Sequence, residues 1–319
     1  MTALHLPVPL DPGLLRLGVD LRRAGVEPSR AVDDWHHVRH GVWVPSAHWA
    51  ELAPGQRHAA VVHAADLVRR PGHDRVVAAW SAAAVWGMPR VEDWPSCVGV
   101  LSHSRRASRS GGLCPVVGGD TEPVTVQGLS VTPPARTVVD LARTGTLESA
   151  VAAADHALRN GLCTVADLSA EVAAVAPRVA GRRTAALVRD LADPGSMSAG
   201  ESLSRVQMYL LGLPRPRLQV PYTDDRGLIG YTDFGWAGVV GEFDGRVKYR
   251  VPEGADPETA AQVLWEEKQR EDRLRRQARV ARWVWSVALD RPALGRLLGS
   301  VGIRPERHST WFDLGASVS

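Results

Sequence analysis

Three scarcities narrow the reading of this sequence. Lysine is the first: of 38 basic residues only Lys248 and Lys268 are lysines, and the rest are arginine. Arginine is permanently charged and forked, whereas lysine is a compact donor whose pKa can be tuned for catalysis. Both lysines lie just behind the chain's most acidic strand pair, so the rare cation is kept where chemistry would use it. Cysteine is the second scarcity. Cys97, Cys114 and Cys163 are far apart with no CxxC spacing, which points to neither a disulfide framework nor a zinc site. Long apolar runs are the third. No stretch approaches the roughly 18 apolar residues of a membrane helix, and no basic segment followed by an apolar run opens the chain. A cytoplasmic protein with no membrane partner is expected.

What is present is a globular composition, 45% hydrophobic and 23% charged over 319 residues, long enough for two or three domains. A net charge of +3 with a pI near 9.0 permits a nucleic-acid partner without demanding one.

The most informative stretch is Tyr231 to Lys248. Residues 231–236 and 239–248 read as two strands joined at Ala237-Gly238, each alternating in the manner of a sheet packed on one face. Asp233 lies in the first strand, and Glu242 and Asp244 in the second. Glu242 and Asp244 leave the same strand face, and in a hairpin Asp233 reaches it too. Carboxylates are costly inside a sheet. A divalent cation would account for three of them, since Mg²⁺ takes hard oxygen ligands. A solvated sheet edge blunted by acids would account for them equally.

Taken in order, the chain begins with a leucine stripe (Leu14, Leu15, Leu17 and Leu21) that predicts a helix ending at Gly25. Val38 to Val44 alternates around Gly41 like the wing of a winged helix. The segment Pro28 to Trp35 lies where a recognition helix would, but Asp33 and Asp34 would repel phosphates. Packing without DNA reading is the alternative. The early histidines lack acidic or cysteine partners at ligand spacing and read as surface or capping groups. Helices are predicted from Gln56 to Leu67 and between Trp80 and Met88, and a strand from Cys97 to Ser102. The loop from His103 to Arg109, with Arg105 and Arg106, could touch a phosphate backbone or simply be solvated. Gln127-Gly128 reads as a hairpin turn. Pro133-Pro134 leads into Val138 to Ala142, and three helices follow near 147–160, 165–175 and 182–191, with Asp140 and Asp155 as surface or capping acids. Asp193 to Met197 marks a boundary. Ser198 to Glu201 is a capping box, opening an order of one helix, three strands, a helix, a strand and a helix. In that order Val251 to Thr259 is a flap, Glu258 to Gln277 a charged helix and Val280 to Ala288 a strand. The basic end of the charged helix, with Arg270, Arg273 and Arg276, suits a nucleic-acid backbone.

That order, with Gly200-Glu201-Ser202, Asp233-Phe234, Val240 to Gly245, Glu267 to Asp272 and Arg282 to Trp285, resembles the PD-(D/E)XK nuclease fold. The resemblance is to its branch related to very-short-patch-repair endonucleases, over about residues 198–300. It implies Asp233 and Glu242 as ligands of Mg²⁺ or Mn²⁺, and Glu201 as an outer acid that orients water. The lysine expected two residues after the acid is Asp244 here, and Lys268 or Lys248 would take its place. The front of the chain resembles AbiEi-type antitoxins of type IV toxin–antitoxin systems, through His40 to Pro45, Ser81 to Pro89 and Val131 to Asp140. That likeness implies a winged-helix autorepressor with DNA and a cognate toxin as partners. The expected class is α/β (α+β overall), divided into 1–95, 96–195 and 196–319. The function expected is either a metal-dependent DNA endonuclease or a DNA-binding antitoxin with an inactive nuclease-like domain.

Overall fold

Gly41, at φ +78°, turns the chain between β2 (Trp35–Arg39) and β3 (Val42–Pro45), in a backbone region that glycine enters without steric cost. In the computed structural model, which describes residues 10–69, 75–104, 106, 108–245 and 257–312, the chain forms two compact units, Met1–Arg189 and Asp190–Ser319. Both mix helices and strands, as an α+β class requires.

In the first unit a short β1 (Arg16–Leu17) pairs with β3 to give the order β1-β3-β2. The leucine stripe is therefore not one helix. Leu15 and Leu17 flank exposed Arg16 with strand alternation, and only α1 (Gly18–Arg23) is helical before Gly25. Pro28 to Trp35 is not a helix either. It makes single turns closed by Ala31 N–H to Glu27 O at 3.2 Å and Trp35 N–H to Ala31 O at 2.9 Å. The Ser29 hydroxyl donates to the Glu27 carboxylate at 2.7 Å, a local bond that competes with helix formation.

The helices α2 (Ser46–Glu51), α3 (Pro54–Leu67) and α4 (Ala79–Val85) lead to a parallel pair, β4 (Val98–Ser102) and β5 (Leu113–Val117). A hairpin follows, β6 (Val124–Val126) and β7 (Leu129–Val131), turned by Gln127 and Gly128 at positive φ. Val62, Ala82, Val98 and Leu129 share one core, which runs through the division read at 95/96. Cys97 and Cys114 form a disulfide, contrary to the reading of the sequence. Their separation of 17 residues hides a neighbourhood that the β4–β5 pairing creates, with Cα atoms 5.8 Å apart.

Four helices follow, α5 (Pro134–Thr144), α6 (Leu147–Arg159), α7 (Val165–Ala174) and α8 (Arg182–Leu191); the last three stand where the sequence predicts helices, and α5 is added to them. Asp140 and Asp155 are buried rather than surface acids. Arg136 Nε donates to both Asp140 carboxylate oxygens at 3.0 Å, one helical turn away.

The second unit holds α9 (Ala199–Leu210) and the sheet β8 (Arg217–Asp224), β9 (Gly227–Trp236), β10 (Val239–Asp244) and β11 (Arg279–Val284). The sheet order is β11-β10-β9-β8. β8, β9 and β10 are antiparallel neighbours, whereas β11 runs parallel to β10, so α10 (Pro257–Arg275) serves as the crossover between them. Phe234 and Trp283 stack at 5.3 Å, and Trp283 Nε1–H donates to the Ser204 hydroxyl of α9 at 2.8 Å. Ile229 and Val240 pack with Leu274 and Ala278 from α10 and just beyond its end. Trp285 does not continue the strand: it opens α11 (Trp285–Leu289), and α12 (Arg291–Ser300) follows. Residues 251–256 of the expected flap lie outside the described residues, and Pro257 to Thr259 open α10.

His58 is buried in the first unit, not on its surface. Its Nε2 meets the Ser81 hydroxyl at 2.8 Å, and that hydroxyl accepts the Gly99 N–H at 2.9 Å. Burial pushes the imidazole down to about 4 against an opposing bond to Pro95. The unfolded chain therefore binds a proton near pH 6.5 that the folded chain refuses. The stability held by neutral His58 is complete above that pH and is lost as pH falls toward 4. His156 and His63 of the same unit are also held down by burial and add to the loss, so in denaturant unfolding at pH 7.5 and 4.5 His58→Gln should reduce the pH-dependent loss by about 2.5 kcal/mol rather than abolish it.

Candidate functional site

The register of the second sheet builds a polar row across its four strands. Gly241 is the partner of Phe234 on β9, and Leu218 the partner of the same Phe234 on β8. Carried one residue further, Gln219, Asp233 and Glu242 stand side by side. On the other flank Glu242 is paired directly with Arg282 of β11. The order across the sheet is thus Gln219, Asp233, Glu242, Arg282.

Asp233 accepts the Phe243 backbone N–H at 2.8 Å. Burial raises its carboxyl to about 6, and the neighbouring Glu242 charge adds to the rise, while bonds from Phe243 and Gln219 oppose it. Glu242 is 8% exposed, and burial alone would raise it. Arg270 and Arg282 overcome that and hold it below the usual carboxylate range. Its Oε1 accepts from Arg270 Nη2 at 2.8 Å, and its Oε2 accepts from Arg282. Glu267 Oε1 accepts from both guanidinium groups, at 3.1 Å from Arg270 and 3.4 Å from Arg282. Glu271 lies 3.9 Å from Arg282 Nη1, and the Tyr231 carbonyl accepts from Arg270 at 3.3 Å.

Glu201 is reached from α9. Its Oε2 accepts the Met197 N–H at 2.8 Å and the Gln219 side-chain N–H at 3.2 Å, and its Oε1 accepts the Ser198 hydroxyl at 2.8 Å. The carboxylate thus completes the helix cap read from the sequence and touches the row through Gln219. Asp244 ends β10, half-buried, two residues beyond Glu242 on the same face.

The residues read as nucleic-acid contacts divide. Arg270 is committed to Glu242 and Glu267, and Arg273 holds Asp224 in a forked pair and the Gly227 carbonyl. Arg106, Lys268 and Arg276 are exposed. Arg105 and Lys248 lie outside the described residues. Gln219 and Arg282 were not read as site residues, because their place depends on strand register, which no local motif encodes.

A divalent cation fits this arrangement poorly. Both Glu242 oxygens and the near oxygen of Glu267 face guanidinium groups, whose charge would repel a second cation at hydrogen-bond distance. Among the described residues no cluster of three His, Cys, Asp or Glu side chains has the geometry of a metal centre. In the first unit a separate cavity of about 480 Å³ is lined by Trp49, Arg57, His58, Arg90 and Trp94, among others. No described helix is long and apolar enough to cross a membrane.

No family model matches the chain, and no solved structure does. Two uncharacterised proteins of Mycobacterium tuberculosis, MT2308 of strain CDC 1551 / Oshkosh and Rv2248 of strain ATCC 25618 / H37Rv, are each 37% identical to it over 114 residues. The match covers 35% of this chain and 41% of each relative, so the chain spans well under half the length of the proteins it resembles.

Glu242 is the group on which the row turns. Replacing it with alanine leaves two partly buried guanidinium groups facing each other, and the second unit should lose about 3 kcal/mol or more in denaturant unfolding. Asp272→Ala, on the exposed side of α10, should cost a few tenths of that.

Proposed function

We propose that this chain is a DNA-associated regulator of antitoxin type whose second unit keeps a nuclease-like frame without metal-dependent hydrolysis. The observation that supports this reading is the engagement of Glu242 by Arg270 and Arg282. The carboxylate that would hold a metal already has its counter-charge, and Asp244 stands where the resemblance calls for a lysine. DNA contact would fall to exposed cations such as Lys268, Arg276 and Arg106, each adding a salt-sensitive phosphate interaction. A toxin partner follows from the antitoxin resemblance of the first unit.

A second reading, a Mg²⁺- or Mn²⁺-dependent endonuclease, is favoured by one observation. Glu201, Asp233 and Glu242 come from three different elements to the same row, Asp233 and Glu242 at its centre and Glu201 through Gln219. That reading requires the guanidinium groups to leave Glu242 when substrate and metal arrive.

One paired assay separates the two: duplex DNA mobility shift across a salt series, and plasmid nicking with Mg²⁺ or Mn²⁺. The expected result is binding that weakens steeply with salt, weakens further in Lys268→Ala/Arg276→Ala, and occurs without nicking. Nicking that disappears in Asp233→Asn/Glu242→Gln would establish the endonuclease instead. Absence of any shift at low salt would remove DNA from the account.

A further inference from the structure

The poor fit of a cation has a structural cause in the strand register. Arg282 is not a surface side chain that has fallen onto Glu242. It is the cross-strand neighbour of Glu242 in the parallel β10–β11 register, so the fold delivers its guanidinium to that carboxylate. Arg270 arrives from the opposite side, on α10, and is tied twice more, to Glu267 and to the Tyr231 carbonyl. Planar guanidinium forks match carboxylate geometry and stay charged at any physiological pH.

We infer that Arg270 and Arg282 are permanent built-in counter-ions which take the place of a divalent cation at the Asp233–Glu242 pair, so that the second unit is folded and charge-balanced without metal. This deepens the reading of the second unit as nuclease-like, but its test needs no DNA. The charge accounting carries it. Glu242 and Glu267 meet two guanidinium groups, and Glu271 extends the network to Arg275 at 2.6 Å. An added dication would have to displace protein cations held on two different elements. Without the two arginines the same oxygens would face one another as like charges, and a dication becomes the means of relieving them.

The experiment measures Mn²⁺ and Mg²⁺ binding by calorimetry, and thermal unfolding with and without metal, on the full chain. The wild type is compared with Arg270→Gln/Arg282→Gln and with a triple variant that adds Glu242→Gln. The wild type should show no binding and no metal-dependent shift at millimolar metal. The double variant should unfold at a lower temperature and recover part of the loss with Mn²⁺, binding it at least about tenfold below the millimolar concentration at which the wild type shows none. The triple variant should lose the Mn²⁺ response. Metal binding by the wild type overturns the inference, as does a folded double variant that ignores Mn²⁺. If the double variant fails to fold, Arg270→Gln and Arg282→Gln are tested singly, and a folded single variant with no Mn²⁺ response overturns it equally. These outcomes are separate from the DNA assay: metal binding by the wild type with no nicking would sink this inference and leave DNA association standing.

Discussion

A carboxylate that is 8% exposed beside a second, half-buried carboxylate cannot be left alone in a β-sheet. Desolvating one charge costs several kcal/mol, and a like charge on the next strand adds to it. The second unit meets that constraint at Glu242 with two guanidinium groups, and much of its architecture follows. β11 must lie parallel to β10 in the register that pairs Glu242 with Arg282. α10 must cross the sheet at a height that lets Arg270 reach both Glu242 and the Tyr231 carbonyl. Among the described side chains, Leu274 and nearby Ala278 seat this end of the helix on Ile229 and Val240. Arg273 repeats the device further along, gripping Asp224 and the Gly227 carbonyl at the β8–β9 turn.

The opposite face of the sheet explains the residues between the acids. Gly241 precedes Glu242 because a Cβ there would come within 2.7 Å of the Trp283 ring. Gly200 on α9 likewise leaves room for the Phe243 ring, which a Cβ would meet at 2.0 Å. Gly241 and Phe243 thus serve the aromatic side, with Phe234 and Trp283 stacked beneath α9. Glu242 and Asp244 serve the charged side. A strand with period two can satisfy both demands at once, which is why the acids and the aromatics alternate.

Local chemistry was legible in the sequence where the relevant contacts are local. The Ser198–Glu201 cap, the Gln127-Gly128 turn, the Gly41 turn and the helices α6 to α8 all depend on residues a few positions apart, and each stands close to where it was read. The order of elements after Ser198 was equally open to pattern reading, apart from Trp285, which starts a helix. What the pattern did not carry was pairing across distance. The Cys97–Cys114 bond depends on two strands becoming neighbours, and the burial of Asp140 on Arg136 depends on which face of α5 turns inward. The polar row is the clearest case. Arg270 reads as a free cation on a charged helix until the crossover places that helix over Glu242.

The same row reconciles two features of the sequence that look unrelated. The resemblance calls for a cation two residues after Glu242 along β10, and Asp244 occupies that position. Across the sheet, however, a cation stands next to Glu242 at Arg282, one strand over. The positive charge is supplied sideways through the register rather than along the strand. A lysine at 244 would add a third cation beside a carboxylate that already holds two guanidinium groups, so Glu242 does not need its counter-charge from that position. Read this way, arginine in the row and aspartate at 244 belong to one electrostatic arrangement, in which the counter-charge of Glu242 is covalently part of the fold.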